Sequence, residues 1–497
     1  MCQPPYIKQR ACRFLLAALL SITQMSGLQA QPQPNMLFIY IDDMGYGDLS
    51  CYGNTDIATP NIDRLAREGL QFTQFYVSSP VCSPSRAGAL TGQYPARHQI
   101  YGYLASRWEN EQRHMPDWLD PAAPTIARTL HKAGYATAHI GKWHLGGGFD
   151  ISKAPPPTAY GYDESLVAFS GMGKRVLVRG PELDAASAKL GGGPITWVDH
   201  DYQKNRLYVD SVIAFIQQHQ DRPFYTALWF NAVHDPFDPN PALMKKLRRF
   251  ARDPYKQQYY AAILEMDQQI GRLLDWLDQS GLAANTLVFL ASDNGPTDWP
   301  RYYRGHDHPP GSAGLFRGRK WSLYEGGIRE PLLVRWPGHV PAGVVDSTSI
   351  ICNIDFLPTL AALAGAPLPE APLDGENMAA AWLGRPQKRD HLLKWVFGFN
   401  PHFIAPGNPR YRSPALAIRD GQWKVLVNPD GSQLALYDLE KDLAESENIS
   451  NQYPEIARRL AEKARHWWAA MPKKKDGPDR PTSRPIHSAE TGTTTKR

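Results

Sequence analysis

The chain of 497 residues is 42% apolar and 21% charged, with a net charge of +5. This length accommodates one large domain and a smaller one, and the composition is that of an ordinary soluble globular protein. The mild positive charge gives no case for nucleic-acid binding, yet it would not repel an anionic substrate.

The N-terminus reads as a secretory leader over residues 1–30. Lys8, Arg10 and Arg13 form a basic region, Phe14 to Ile22 a short apolar run, and Leu28-Gln29-Ala30 a small-residue cleavage point. The apolar run is too short to span a bilayer, and no later stretch looks transmembrane. The mature protein is therefore expected to be secreted or periplasmic, without stable membrane insertion. Of five cysteines, Cys2 and Cys12 fall in the leader, which leaves Cys51, Cys82 and Cys352. An odd number so widely spaced is no disulfide framework.

Four strands end in chemically useful residues. Met36 to Ile41 runs into Asp42 and Asp43; Tyr135 to Ile140 leads to Lys142 and His144. Phe224 to Phe230 leads to His234, and Thr286 to Ala291 to Asp293 and Asn294. Helical segments intervene at Asn61 to Gly69, Thr125 to Gly134 and Tyr255 to Gly281. This alternation predicts an α/β fold, with a large, mostly parallel central sheet flanked by helices over residues 31–373. Ligands of such sheets bind beyond the carboxyl ends of the strands. From Asp374 the texture changes. Ala415 to Ile418, Trp423 to Val427 and Leu434 to Tyr437 read as short strands joined by Arg419-Asp420-Gly421 and Asn428-Pro429-Asp430-Gly431 turns, with a helix at Ile456 to Ala470. A smaller antiparallel sheet with a helix is expected over 374–472, and a disordered tail over 473–497.

Asp42, Asp43, Asp293 and Asn294 offer only oxygen ligands, which suits a hard divalent cation; alone, each pair also reads as a turn or helix cap. Cys82 joins a loop to a helix start, where free amides and positive potential suit an anion. A buried inert cysteine and a thiolate nucleophile are the other readings of such a residue.

Cys82-Ser83-Pro84-Ser85-Arg86, followed by Leu90-Thr91-Gly92, resembles the signature of type I sulfatases of the alkaline-phosphatase superfamily. Gly141-Lys142-Trp143-His144-Leu145-Gly146, Tyr324-Glu325-Gly326-Gly327-Ile328-Arg329 and Leu436-Tyr437-Asp438-Leu439 resemble further landmarks, so the likeness runs from Asn35 to Asn448. It implies that a maturation enzyme oxidises Cys82 to formylglycine, and that Asp42, Asp43, Asp293, Asn294 and the modified Cys82 surround one divalent metal. Calcium is the usual ion of the family; magnesium stays open. It also implies sulfuric ester hydrolysis. A hydroxyl of the hydrated aldehyde attacks sulfur, His234 and Lys320 assist the leaving oxygen, and His144 takes a proton from the second hydroxyl so that sulfate leaves. Arg86, Lys142 and Lys320 would neutralise the sulfate. Arg317 and Arg319 are equally basic neighbours, and the family spacing to Tyr324 selects Lys320. Gly161-Tyr162-Asp163 is a diverged version of a family stretch, and Ser170 has no firm role.

The segment between Asn294 and Lys320 carries Trp299, Arg301, Tyr302, Arg304 and His306. Aromatic faces stack on sugar rings, and arginine pairs with sulfate or carboxylate, so this loop is expected to help bind a sulfated carbohydrate. A loop merely packed on itself is the alternative. Trp108, Trp118 and Gly191-Gly192-Gly193 are candidate walls. A phosphate or phosphonate monoester hydrolase, a non-catalytic glycan-binding relative and a cysteine-dependent hydrolase are the competing functions.

Overall fold

The computed structural model describes residues 1, 33–168, 170–299, 303 and 309–472. The expected leader, the expected tail, and Arg301, Tyr302, Arg304 and His306 lie outside them. Residues from Pro34 onward group into one unit, and the fold below is that of this unit.

In chain order the strands of the large sheet are β1 (Asn35–Ile41), β2 (Leu70–Tyr76), β3 (Ala136–Gly141), β4 (Glu164–Val167), β5 (Arg175–Val178), β6 (Ile195–Val198), β7 (Phe224–Trp229), β8 (Thr286–Ser292), β9 (Arg329–Arg335), β10 (Val344–Asp346) and β11 (Ile351–Cys352). The spatial order is β10-β2-β9-β8-β1-β7-β3-β4-β5-β6, with β11 also paired to β2. Among these, β9 alone runs against its neighbours β2 and β8. β8, β1, β7 and β3 are adjacent and parallel, so their carboxyl ends share one edge. The four strand ends expected to carry chemistry are these four.

Alternation along the strands feeds two apolar cores, one on each face. Met36, Phe38 and Tyr40 of β1 join Tyr225, Trp229 and Phe289 on one side; Leu37, Ile39 and Ile41 join Leu228, Val288 and Leu290 on the other. Phe38 stacks on Phe289 with ring centroids 4.5 Å apart. Each such ring contributes about 1.5–3 kcal/mol by leaving water.

Helices α1 (Pro60–Arg67), α2 (Cys82–Thr91), α3 (Ile126–Lys132), α4 (Gln203–Gln218), α5 (Pro254–Gln279) and α6 (Phe356–Ala364) cover both faces. The longest, α5, starts with Pro254 at its first turn and with Asp253 accepting the Lys256 N–H, and buries Ile263, Met266, Ile270 and Leu274 against the second core. Strands β12 (Leu393–Val396), β13 (Leu416–Asp420), β14 (Trp423–Val427) and β15 (Ala435–Asp438) form the expected small antiparallel sheet, covered by α7 (Pro454–Ala470). Among the described residues no helix is long and apolar enough to cross a membrane.

Candidate active site

Helix α2 aims its N-terminus at the shared strand edge. Val81 caps it in an extended conformation, and all ten residues from Cys82 to Thr91 are buried. Cys82 is 1% exposed. Its Sγ lies 3.9 Å from Asp43 Oδ1, at the end where unpaired N–H groups favour negative charge. None of Cys51, Cys82 and Cys352 is in a disulfide.

The ends of β1 and β8 interlock. Asp293 N–H donates to Ile41 O at 3.0 Å, Asp43 N–H donates to Asp293 Oδ1 at 3.1 Å, and Asn294 Nδ2 donates to Asp43 Oδ1 at 2.7 Å. Asp43 is held at a φ of 58°, a left-handed conformation that non-glycine residues adopt only when their surroundings enforce it. Lys142 pairs with Asp42, and Lys320 Nζ sits 2.6 Å from Asp43. Arg86, with no exposed surface, places Nη2 2.7 Å from Asp293 and 3.4 Å from Asp42. It lies over the rings of Tyr40 and Trp229 and does not line the cavity described below. It braces the carboxylates from beneath. Of the three neighbouring basic residues, Arg317 and Arg319 spend their guanidiniums on backbone carbonyls, and Lys320 alone reaches the aspartates.

The β3 end turns sharply at Gly141, whose φ is 109°; a Cβ there would lie 1.9 Å from Trp229 O. His139 Nε2 and Arg86 Nη1 meet the Lys142 carbonyl at 3.2 and 3.3 Å, fixing the turn that delivers Lys142 and His144. His144 Nε2 lies 3.2 Å from Leu104 O, and its Nδ1 has no hydrogen-bond partner. Burial and the Lys142 cation hold His144 well below its ordinary pKa, so the ring is neutral: Nε2 carries the proton and Nδ1 is an open acceptor. His234 differs. Its Nδ1 lies 2.5 Å from the Asp235 carbonyl, and Nε2 faces Asp43 Oδ2 at 3.5 Å. Desolvation is the strongest influence and lowers its pKa, but the surrounding carboxylates, Asp43 foremost and Asp42 with it, together raise it to about 9.

Three carboxylates crowd this edge. Burial opposes ionisation of Asp42, yet Lys142, His234, Arg86 and Lys320 hold it well below the usual range. Asp293 is pushed up by burial to about 7 despite Arg86, with Asp42 and Asp43 adding to the rise. Asn294 Oδ1 is buried and accepts no hydrogen bond, a costly arrangement unless a cation meets it, and Asp42 Oδ1 faces the Arg86 guanidinium at 3.4 Å. Donor atoms of Asp42, Cys82 and Asp293, and of Asp43, Cys82 and His234, lie within 4.8 Å of one another. An oxygen-rich set of this kind fits a hard divalent ion.

A cavity of about 490 Å³ opens over Cys82, Lys142, His144, His234 and Lys320. Trp299 lines it, edge to face with Trp321 at 5.8 Å. Ser170 lines it too, and its carbonyl takes the His144 N–H at 2.8 Å. Trp108, Trp118 and Gly191–Gly193, expected as walls, are not among the lining residues; Trp118 instead bridges to Gly146. Tyr103, Glu109, Phe149, Asp201 and Lys204 line the cavity and were missed in the sequence. No local pattern marks them, because the packing of separate segments brings them there.

The sequence model of the Sulfatase family matches residues 34–366, and that of the N-sulphoglucosamine sulphohydrolase C-terminal region matches 311–468. N-acetylgalactosamine-6-O-sulfatase of Bacteroides thetaiotaomicron is 31% identical over 87% of this chain and 93% of its own. Human arylsulfatase A is 33% identical over 90% of each chain. Among solved structures, one from work on glycosaminoglycan metabolism by B. thetaiotaomicron has a TM-score of 0.70 at 27% identity, covering 88% of this chain and all of its own. Ps i-CgsB, solved with k-i-k-neocarrahexaose, has a TM-score of 0.69 at 28% identity over 89% of this chain and 94% of its own. With the same residues gathered at the strand edge, these likenesses lead to one conclusion: the chain belongs to the sulfatase family of the alkaline-phosphatase superfamily and is a sulfuric ester hydrolase.

Proposed function

We propose that this sulfatase acts on a sulfated carbohydrate, with Cys82 matured to formylglycine by a dedicated enzyme and one divalent cation, calcium by family resemblance, held by Asp42, Asp43, Asp293 and Asn294. The observation that carries this reading is the convergence of the α2 start, at Cys82, with the buried carboxylates of Asp42 and Asp293, whose donor atoms all lie within 4.8 Å of one another. Formylglycine, as its hydrate, would supply one hydroxyl for attack on sulfur and a second that, on giving up its proton, would re-form the aldehyde as sulfate leaves. The cation, when bound, draws charge from the sulfate oxygens.

The other steps fall to side chains. Lys142 and Lys320 bring ammonium groups to the cavity floor and orient the anionic ester. His234 carries a proton on Nε2 at neutral pH and delivers it to the departing alcohol oxygen, with Lys320 beside it. His144, neutral and with Nδ1 open, accepts the proton released when sulfate departs. Arg86 keeps Asp42 and Asp293 aligned. Two features support a sugar substrate: the aromatic walls Tyr103, Trp299 and Trp321, and the relatives' named substrates. The proposed leader would export the chain to where such polymers occur.

Sulfate release from a panel of defined sulfated oligosaccharides, with mass analysis of the Cys82 peptide, tests this reading. Turnover of at least one sugar sulfate and an aldehyde at Cys82 are expected. An intact thiol in fully active enzyme would overturn the nucleophile, and activity confined to aryl sulfates would overturn the substrate class.

A further inference from the structure

Residues of the C-terminal region close on the segment that carries Lys320. Glu325 opens a four-residue helix, Glu325–Ile328, and is fully buried. From β14, Lys424 Nζ meets Glu325 Oε1 at 2.8 Å and Glu445 Oε1 at 2.9 Å, and all three side chains are 0% exposed. Glu445 Oε2 accepts the Glu325 N–H at 2.6 Å, and Ser413 Oγ accepts the Leu323 N–H at 2.9 Å. Tyr76 OH and Arg329 Nη1 donate to the other oxygen of Glu325 at 2.5 and 3.3 Å. At the near end of the segment, Lys320 N–H donates to Pro296 O at 3.0 Å and Trp321 N–H to Pro80 O at 2.9 Å. The segment has no slack: a Cβ on Gly327 would stand 2.2 Å from Ser322 O.

A buried ion group is a poor source of stability, because desolvation offsets most of its attraction. What this one supplies is position. Four residues separate Lys320 from Glu325; Trp321, Leu323 and Tyr324 among them pack into the first core, and the directional anchors at their two ends are the hydrogen bonds and ion pairs above.

We propose that Lys424 and Glu445, helped by Ser413, are positioning residues for Lys320, so that the C-terminal sheet sets where its ammonium stands beside the reacting ester. This rests on the reading of Lys320 as the cation next to the departing oxygen. Misplacement of a catalytic group by about 1 Å can cost on the order of 100-fold in rate.

The test is kcat/KM for a series of aryl sulfates whose phenols span a wide range of acidity. A displaced Lys320 hurts weakly acidic phenols most, since these need the most help to leave. Lys424→Met is expected to lower kcat by about 10- to 100-fold for the least acidic phenols and only a few-fold for the most acidic, with KM little changed. Lys320→Ala should steepen the same dependence, and the double variant should be no worse than Lys320→Ala. Glu445→Gln, which keeps an acceptor for the Glu325 N–H, should retain most of the wild-type slope. If Lys424→Met does not fold, Ser413→Ala gives a smaller steepening of the same sign. A loss equal for all leaving groups, tracking the folded fraction in a thermal melt, overturns the inference. Steepening in Lys320→Ala but in neither Lys424→Met nor Ser413→Ala overturns it alone, whereas an unchanged slope in Lys320→Ala overturns the reading beneath it and the inference together.

Discussion

Lys320 Nζ stands 2.6 Å from both carboxylate oxygens of Asp43. An ammonium so placed competes with a metal ion for the same ligand. Lys320→Met should therefore bind calcium more tightly than the wild type, by about threefold or more given the strength of a charge-assisted hydrogen bond, while losing activity. Asp43→Asn should bind it more weakly. Calcium titration calorimetry reads both, and weaker binding by Lys320→Met would count against the shared ligand.

Cys82 should be irreplaceable in a graded way. Cys82→Ala is expected to abolish turnover with the fold intact. In Cys82→Ser the hydroxyl should attack sulfur, expel the alcohol and keep the sulfo group, since no second hydroxyl exists to release it. Intact-protein mass spectrometry should show one added sulfo group after exposure to substrate.

Arg301 and Arg304 lie in the segment expected to meet the glycan. Replacing both with Ala should raise KM on a sulfated polysaccharide much more than on a small aryl sulfate. Equal effects on the two substrates would refute a role in glycan binding.

Asp48 allows a prediction of stability against pH. Burial raises its carboxyl from 3.8 to about 6, even though Tyr259 OH, Gly45 N–H and Ser312 N–H all donate to it. Between those values the folded chain holds a proton that the unfolded chain lacks, so this group adds stability as pH falls through about 6 and levels off below 3.8. Relative to Asp48→Asn, the wild type should gain roughly 1–3 kcal/mol between pH 7 and pH 4. Urea unfolding of both proteins across that range measures the difference, and a gain for the variant would reverse the sign.

The four strand ends that carry the candidate site residues were legible because their signal is local: an apolar run stops and polar residues begin. The strand β9 was not, since it starts with Arg329 and Glu330 and contains Pro331, which argues against a central strand. The structure resolves the conflict with a register shift between Phe72 and Phe75 opposite that proline, where Tyr52 OH takes the Leu332 N–H at 3.0 Å. The short edge strands β4 to β6 have too little alternation to announce themselves. Lys424 and Glu445 were equally hidden: a lysine in a short strand and a glutamate in a loop read as surface charges, and only the docking of the small sheet buries them.

The helix that begins at Cys82 has a bearing on chronology. With ten buried residues and a side chain 1% exposed, the thiol of the finished fold is open to small molecules through the cavity but closed to another protein's active site. If Cys82 is matured as proposed, the converting enzyme would have to act before the strand edge closes over it. On that proposal chain emergence and activation would be ordered events, and protein folded in a host without that enzyme should stay inert when the enzyme is supplied afterwards, yet become active if unfolded, treated and refolded.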